Sequence, residues 1–323
     1  MFIRRRVPEQ GPLKAAVIGV GAFGRHHCAK YSAMADVELF AVADPSAEVR
    51  HAIAAQYDVL AVADWRELLG KVDLVSVCSP AVTHAPIVRA FLNAGAHVLV
   101  EKPIATTMAE ADELVALARK TGLTLTVGHQ ERFVFARTGL LDQDVAPLEI
   151  QCWRRGPWTG RGDDVSAVLD LMIHDLDLVH TLVQSPVIEV SARGATQYGP
   201  HADEVAAEVT FANGTVAYLD TSRIADSRKR GFRAVYADGV VEIDFLTREI
   251  VNTTPRPLEA LEMGDPLGDA VNSFVAAAKG EIPPVVLPEQ AAQAVETALL
   301  IEEAADATVP PALRGRYRMA ATA

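Results

Sequence analysis

The chain has 323 residues, half of them apolar and 22% charged, with 42 Asp and Glu against 30 Lys and Arg for a net charge of −12. That size suits about two domains with real hydrophobic cores, and the composition excludes a disordered chain. The acidic balance speaks against a nucleic-acid partner and against docking on anionic membranes, and no apolar run reaches the roughly 20 residues that a membrane helix needs.

The basic start, with Arg4, Arg5 and Arg6, precedes a short glycine-punctuated apolar stretch over 13–24. That stretch reads as a strand and a turn, not as a signal peptide. Residues 14–20 form the first predicted strand, between Pro12 and Gly21. A helix is expected over 24–35, a strand over 37–43, a helix over 45–56, a helical turn over 63–69 and a strand over 74–78, just before Pro80. The pattern continues with a helix over 86–93 stopped by Gly95, a strand over 98–100, a helix over 108–120 stopped by Gly122 and a strand over 124–127. Short apolar strands separated by helices imply βαβ units, and hence a parallel sheet covered on both faces.

The periodicity changes after Gly128. Strands with polar/apolar alternation are expected over 148–153, 188–192, 204–211, 215–220, 233–236 and 240–245. Asn213-Gly214 and Asp238-Gly239 mark tight hairpins, because both turn residues must reach positive φ. Helices are expected over 170–183, 268–278 and 288–304, and the Ala-rich tail beyond Arg318 is expected to fray. The fold class is therefore a doubly wound α/β domain, 12–128, followed by an α+β domain, 129–323, with a large, mainly antiparallel open sheet. One face of that sheet is expected to be apolar and in need of cover, as homo-oligomers supply.

Gly19-Val20-Gly21-Ala22-Phe23-Gly24 matches GxGxxG between the first strand and the first helix, and Asp44 ends the next strand. Gly19 would make the tight turn, Gly21 would admit a pyrophosphate to the backbone, and Gly24 would let helix and strand pack closely. The free N–H groups of the helix start attract the anion. This is the layout of a Rossmann dinucleotide site. Asp44 would accept hydrogen bonds from the adenosine ribose and repel a 2′-phosphate, which favours NAD over NADP; it would alternatively cap the following helix. His26 and His27 read as packing residues, and Arg25 as either a phosphate partner or a surface group. The three cysteines, Cys28, Cys78 and Cys152, are widely spaced and odd in number, so neither a disulfide framework nor a metal site is expected, and a reducing cytoplasm is.

Further motifs carry a resemblance. Glu101-Lys102-Pro103 ends a strand, Thr83-His84 follows another, Asp170 and His174 share a helix as Asp-x-x-x-His, and Gly128-His129-x-x-Arg132-Phe133 stands at the domain junction. Together with the glycine loop these resemble the Gfo/Idh/MocA oxidoreductases, from about residue 14 to 304. The resemblance implies an NAD-binding domain followed by a large open sheet, and an enzyme that oxidises a secondary hydroxyl. It implies catalysis by Lys102, Asp170 and His174. It implies cofactor contacts from Gly19, Gly21, Ala22, Phe23, Gly24, Asp44, Ser79, Thr83, His84, Glu101 and Lys102. His174 would take the hydroxyl proton, Asp170 would orient the imidazole, and Lys102 would hydrogen-bond the reacting oxygen. Read without the resemblance, Asp170 and His174 form an ordinary helix pair, or a metal pair with Asp177 that lacks a further His or Cys. Asp163-Asp164-Val165-Ser166 and Met172 stand where glycines are common in the family.

Gly128-His129-Gln130-Glu131-Arg132-Phe133 and Arg154-Arg155-Gly156-Pro157 are similar to stretches of short family members that oxidise the 3-hydroxyl of UDP-N-acetylglucosamine, although Val134-Phe135 replaces the usual Asn-Pro. That likeness implies a sugar-nucleotide substrate held by Arg132, Arg154, Arg155, Trp158 and Arg161 beside His174, since arginines recognise diphosphates and a tryptophan stacks on rings. It also implies a homodimer or homotetramer. The alternatives are a free sugar or inositol-type polyol as substrate, and an NAD-binding regulator without turnover.

Overall fold

The computed structural model describes residues 11–160, 164–198, 200–262 and 264–308. The tail beyond Arg318, and Arg161, lie outside them. The described residues divide into two compact units. The first holds 11–105, 109–128 and 267–288, and the second holds 106–108, 129–266 and 289–308.

The first unit opens with β1 (Leu13–Ile18), α1 (Gly24–Ser32), β2 (Val37–Ala43), α2 (Ala47–Tyr57) and β3 (Leu60–Val62). It continues through β4 (Leu74–Val77), α3 (His84–Asn93), β5 (His97–Val100), α4 (Met108–Thr121) and β6 (Leu125–Val127). Its six strands are all parallel, in the order β3-β2-β1-β4-β5-β6, so the winding reverses between β1 and β4. All four residues of β4 are buried, as continuous apolar strands covered on both faces must be. Sequence periodicity misses β3, which has three residues and begins at half-exposed Leu60. The predicted turn over 63–69 is a 3-10 turn at Trp65–Leu68, whose start is capped by Asp64 accepting from the Arg66 N–H at 2.9 Å. Helix α2 begins at 47 and not 45, because the Ser46 side chain accepts from the Val49 N–H.

The second unit contains α5 (Glu131–Thr138), β7 (Glu149–Arg155), α6 (Ile173–Val183), β8 (Val187–Ala195) and β9 (Glu204–Phe211). After these come β10 (Val216–Ser222), β11 (Lys229–Tyr236), β12 (Gly239–Asp244) and β13 (Ile250–Asn252). Its seven strands run β13-β12-β11-β7-β10-β9-β8, antiparallel throughout except for the parallel pair β7–β10. Both Gly-containing turns make hairpins, β9–β10 and β11–β12, but only Gly214 and Gly239 reach positive φ; Asn213 and Asp238 do not, which corrects the expectation for both turn residues. Helix α5 and strand β13 were not foreseen. The sheet does have an apolar face, but the unit covers it itself: Phe135 of α5 meets Phe232, and His180 of α6 meets Phe211, ring to ring at 5.4 and 5.7 Å. The outer face mixes polar and apolar side chains, with Trp153, Val216, Val235 and Val240 half-buried on it, so the fully apolar face is the one these helices already cover. The central row of the outer face runs Glu208, Tyr218, Gln151, Arg233, Glu242 across five strands.

The chain closes with α7 (Pro266–Ala278) and α8 (Pro288–Thr308). Helix α7 corrects the predicted boundary, which gave all of 129–323 to the second domain. Its stripe of Leu267, Val271, Phe274 and Val275 enters one core cluster with Val17, Tyr31, Leu39 and Leu74 of the first unit. The spacing i, i+4, i+7, i+8 puts these four side chains on one helix face, and burying that face is what draws the helix to the first unit. Among the described residues no helix is long and apolar enough to cross a membrane.

Phe274 is 1% exposed, so Phe274→Ala should cost about 3–5 kcal/mol, the range for a buried Phe truncated to Ala. The check is the midpoint of urea unfolding, and a change below about 1 kcal/mol would place α7 outside the core.

Candidate active site

In the first unit the glycine loop is built by close packing. Gly19 has φ +82°, and a Cβ there would lie 2.7 Å from the Ser79 nitrogen. A Cβ on Gly24 would lie 1.9 Å from the Gly19 carbonyl oxygen. Neither position tolerates a side chain. Gly21 is different: a Cβ there would meet nothing within 4 Å. The loop is therefore tight against its own sheet and open at the middle glycine, which is the form needed for an anion to reach the start of α1. Ala22 stands beside it, and Phe23 precedes α1 with its ring 41% exposed, edge-on to His26 and His27.

Asp44 anchors the loop as well as ending β2. Its Oδ2 accepts from the Val20 N–H at 3.0 Å, and its Oδ1 accepts from the Ser46 N–H at 2.9 Å. The helix cap is Ser46, so Asp44 is not the capping residue, and its partly exposed carboxylate keeps lone pairs for further donors. Past β4, Thr83 donates to the Pro80 carbonyl and accepts from Ser79 at 2.7 Å. His84, expected against the cofactor, is instead buried, with Nδ1 at 2.7 Å from the Pro103 carbonyl and Nε2 at 2.9 Å from that of Ser79. Burial pulls its pKa below the ordinary histidine value, against the opposing effect of those two carbonyls. It ties the end of β4 to the Glu101-Lys102-Pro103 turn. The Lys102–Pro103 peptide is cis. Lys102 is half-buried, while Glu101 is buried with Oε1 at 3.1 Å from Nε2 of His27. His27 is thus a satisfied interior histidine, as its packing reading required.

In the second unit the expected base, His174, lies in the first turn of α6. One π-helical turn over Val168–Met172 precedes it, carrying Asp170. The Ser166 hydroxyl accepts from the Val168 and Leu169 N–H groups and starts this helix. The His174 side chain is 19% exposed, and its Nδ1 lies 3.7 Å from Oε1 of Glu131. Glu131 is the residue that the sequence reading missed as a partner of His174. It sits in the Gly-His-x-Glu-Arg-Phe stretch beside Arg132, which is the signal that marked it. The Arg154 guanidinium donates to Glu131 at 2.7 Å and to both oxygens of Asp175 at 2.6 and 3.1 Å, and Arg230 also pairs with Glu131. Burial raises the Glu131 pKa, but the charges of Arg154, His174 and Arg230 outweigh it and hold the carboxyl far below the usual range. For Asp175 burial prevails, and its pKa lies above the usual value.

Several residues expected on a sugar nucleotide are committed elsewhere. Arg154 is buried in the pairs just described, because alternate residues of β7 point to opposite faces of the sheet and Arg154 faces α6. Arg155 faces the other way, paired with Asp220 at 2.5 Å and Glu204 at 2.6 Å. The two arginines therefore cannot grip one diphosphate side by side. Arg132 is buried and bidentate to Asp177 at 2.6 and 2.7 Å, with Gln290 at 2.8 Å. Trp158 stacks on Tyr198 with centroids 4.9 Å apart. Among the described residues no three His, Cys, Asp or Glu side chains are grouped to hold a metal ion.

With this geometry in hand, two family models match: "Oxidoreductase family, NAD-binding Rossmann fold" over residues 13–129, and "GFO/IDH/MocA C-terminal domain" over 141–242. Among curated relatives, UDP-N-acetylglucosamine 3-dehydrogenase of Acidithiobacillus ferrooxidans is 35% identical over 239 residues, covering 74% of this chain and 76% of that protein. Its solved structure superposes with a TM-score of 0.86 at 32% identity, over 93% of this chain and all of that one. D-glucoside 3-dehydrogenase of Escherichia coli is 28% identical over 69% of this chain and 74% of that protein. Scyllo-inositol dehydrogenase of Lactobacillus casei, solved with NAD(H) and scyllo-inositol, shares the fold with a TM-score of 0.77 at 19% identity, over 91% and 96% of the two chains. The first unit defines a Rossmann oxidoreductase domain. The chain belongs to the Gfo/Idh/MocA oxidoreductase family.

His180, buried in α6, hydrogen-bonds Thr297 at 2.8 Å through Nε2. Burial drives its pKa down to about 4, helped by Arg132 and opposed by Asp177. The folded-state value is depressed, so as pH falls from about 6.5 to 4 the unfolded chain gains a proton that the folded chain does not, and stability is lost across that window. The loss should reach about 3 kcal/mol by pH 4, at ~1.4 kcal/mol per pH unit. His180→Gln should flatten that part of the stability–pH curve, measured by urea unfolding at steps between pH 7 and 4; an unchanged slope would refute it.

Proposed function

We propose that the protein is an NAD-dependent dehydrogenase that oxidises a secondary hydroxyl of a sugar, with the 3-hydroxyl of UDP-N-acetylglucosamine or a similar sugar nucleotide as substrate. The observation that carries the chemistry is His174, an imidazole left partly exposed while the buried Glu131 carboxylate lies 3.7 Å from its inner nitrogen. Such a pair offers a base outward and a counter-charge inward, and histidine ionises near neutral pH. The substrate is inferred from the 35%-identical relative, whose name states that reaction.

The open Gly21, between two glycines that admit no side chain, suits a dinucleotide pyrophosphate. Asp44 would take the adenosine ribose hydroxyls and repel a 2′-phosphate. When bound, NAD supplies the hydride acceptor. Within the protein, His174 removes the hydroxyl proton and Glu131 stabilises the imidazolium. Asp170 fixes the ring from the preceding turn, and Lys102 hydrogen-bonds the oxygen as it gains charge. A second reading, a free sugar or inositol-type polyol, draws support from the inward commitment of Arg132 and Arg154, which removes two cations from diphosphate recognition. Three free cysteines suit a reducing cytoplasm, and the mixed outer face of the second sheet, with Tyr218 exposed, is the surface we assign to homo-oligomer formation.

The test is NADH formation at 340 nm with UDP-N-acetylglucosamine, UDP-glucose, glucose and myo-inositol. Turnover is expected with the UDP-sugar and NAD, more weakly with NADP, and about 10²–10⁴-fold lower in His174→Ala, the contribution of a general base. Turnover of free polyols alone would discard the sugar nucleotide and keep the base. Equal rates in His174→Ala would discard the base.

A further inference from the structure

The first unit contains a buried polar chain that the proposed mechanism does not use. Tyr31, in α1, is fully buried, and its hydroxyl lies 2.8 Å from the Ser76 hydroxyl of β4. Ser76 lies 3.0 Å from Nδ1 of His27, whose Nε2 lies 3.1 Å from Oε1 of Glu101. Hydrogen-bond chemistry orients this chain. Ionised Glu101 can only accept, so Nε2 of His27 carries a proton and donates. In the neutral ring Nδ1 then accepts, Ser76 donates to it, and Tyr31 donates to Ser76. The donors thus run one way, from α1 through β4 to the carboxylate at the end of β5.

A second observation shows that space is kept for that carboxylate. A Cβ on Gly128 would lie 2.6 Å from Oε1 of Glu101 and 2.8 Å from Oε2. A side chain at Gly128, just past β6, would therefore have to displace the Glu101 carboxylate from the place it holds. Glu101 thus meets His27 at one oxygen and lies against Gly128.

Strand order says what this serves. The winding reverses between β1 and β4. Dinucleotides lie across the carboxyl ends of the strands at such a switch point. With the glycine loop after β1 and Asp44 after β2, the adenosine half belongs to the β1–β2 side and the nicotinamide half to the β4–β5 side. Glu101 ends β5 and adjoins Lys102. We propose that His27, ordered by Ser76 and Tyr31, is a positioning residue that holds the Glu101 carboxylate where it favours the cationic, oxidised nicotinamide over the neutral, reduced one. This rests on the reading of the protein as an NAD enzyme.

Two isosteric variants separate the role from packing. His27→Asn keeps a group near Ser76 but removes the donor to Glu101, whereas His27→Gln places an amide donor where Nε2 was. The readout is the ratio of NAD affinity to NADH affinity, with NADH measured by its own fluorescence and NAD by competition. His27→Asn should shift the ratio toward NADH about tenfold, the low end of what one charge-assisted hydrogen bond is worth. His27→Gln should restore most of it. Glu101→Gln should shift it in the same direction, and the double variant His27→Asn/Glu101→Gln no further than Glu101→Gln alone. Equal ratios in wild type, His27→Asn and His27→Gln would overturn the proposal while leaving the NAD reading intact. If His27→Asn does not fold, an unchanged ratio in Glu101→Gln overturns it just as well. Failure of the wild type to bind either form of the cofactor would remove the NAD reading and this inference together.

Discussion

Most of the second unit is arranged around one buried cation. Arg154 points from the central strand β7 into the unit, where water cannot solvate it. A guanidinium there survives only with carboxylates and hydrogen bonds around it, and removing one partner of such a group costs roughly 3–5 kcal/mol. Asp175 and Glu131 supply the compensation. Asp175 is the residue after His174, so the pair fixes α6 on the sheet and sets the position of His174. Glu131 opens α5, so the same pair fixes that helix too. His174 and Glu131 are thus held by a charge that is almost entirely withdrawn from solvent. The second bidentate pair, Arg132–Asp177, repeats the device two residues further along α6.

Much of this was legible in the sequence. Alternating apolar strands and helices gave the parallel sheet, and the two glycine hairpins gave the antiparallel one, because both patterns follow from local backbone chemistry. The glycine loop was legible for the same reason: each glycine answers a steric demand of its nearest neighbours. The partners of the arginines were not legible. Arg154 and Arg155 look alike in sequence, but strand alternation sends one to the carboxylates of α5 and α6 and the other to Glu204 and Asp220. Which side is interior depends on contacts 20 to 65 residues away. Helix α5 escaped because both of its first residues are charged and both are buried, so it shows no polar face to the periodicity argument. The placement of α7 escaped because an amphipathic stripe declares that it needs a partner without naming which one.

Two glycines of the first unit, one opening α1 and one just past β6, illustrate opposite uses of a missing side chain. At Gly24 the vacated volume is filled by the protein's own backbone, which makes the loop rigid. At Gly128 it is filled by a carboxylate from a neighbouring strand. An alanine at Gly24 would collide with backbone, whereas one at Gly128 would push aside a side-chain end.

The first unit is discontinuous in the chain: its last core helix, α7, arrives more than a hundred residues after β6. A ribosome adds residues at about 5–20 per second, so the sheet and its first helices emerge several seconds before the side chains that seal one part of their core. During that interval the intervening 129–266 must be accommodated while an apolar surface waits for Val271 and Phe274. The nucleotide-binding half of this protein is therefore the first to begin folding and cannot be the first to finish, and a chain cut at the junction would carry the whole sheet without the helix that closes it.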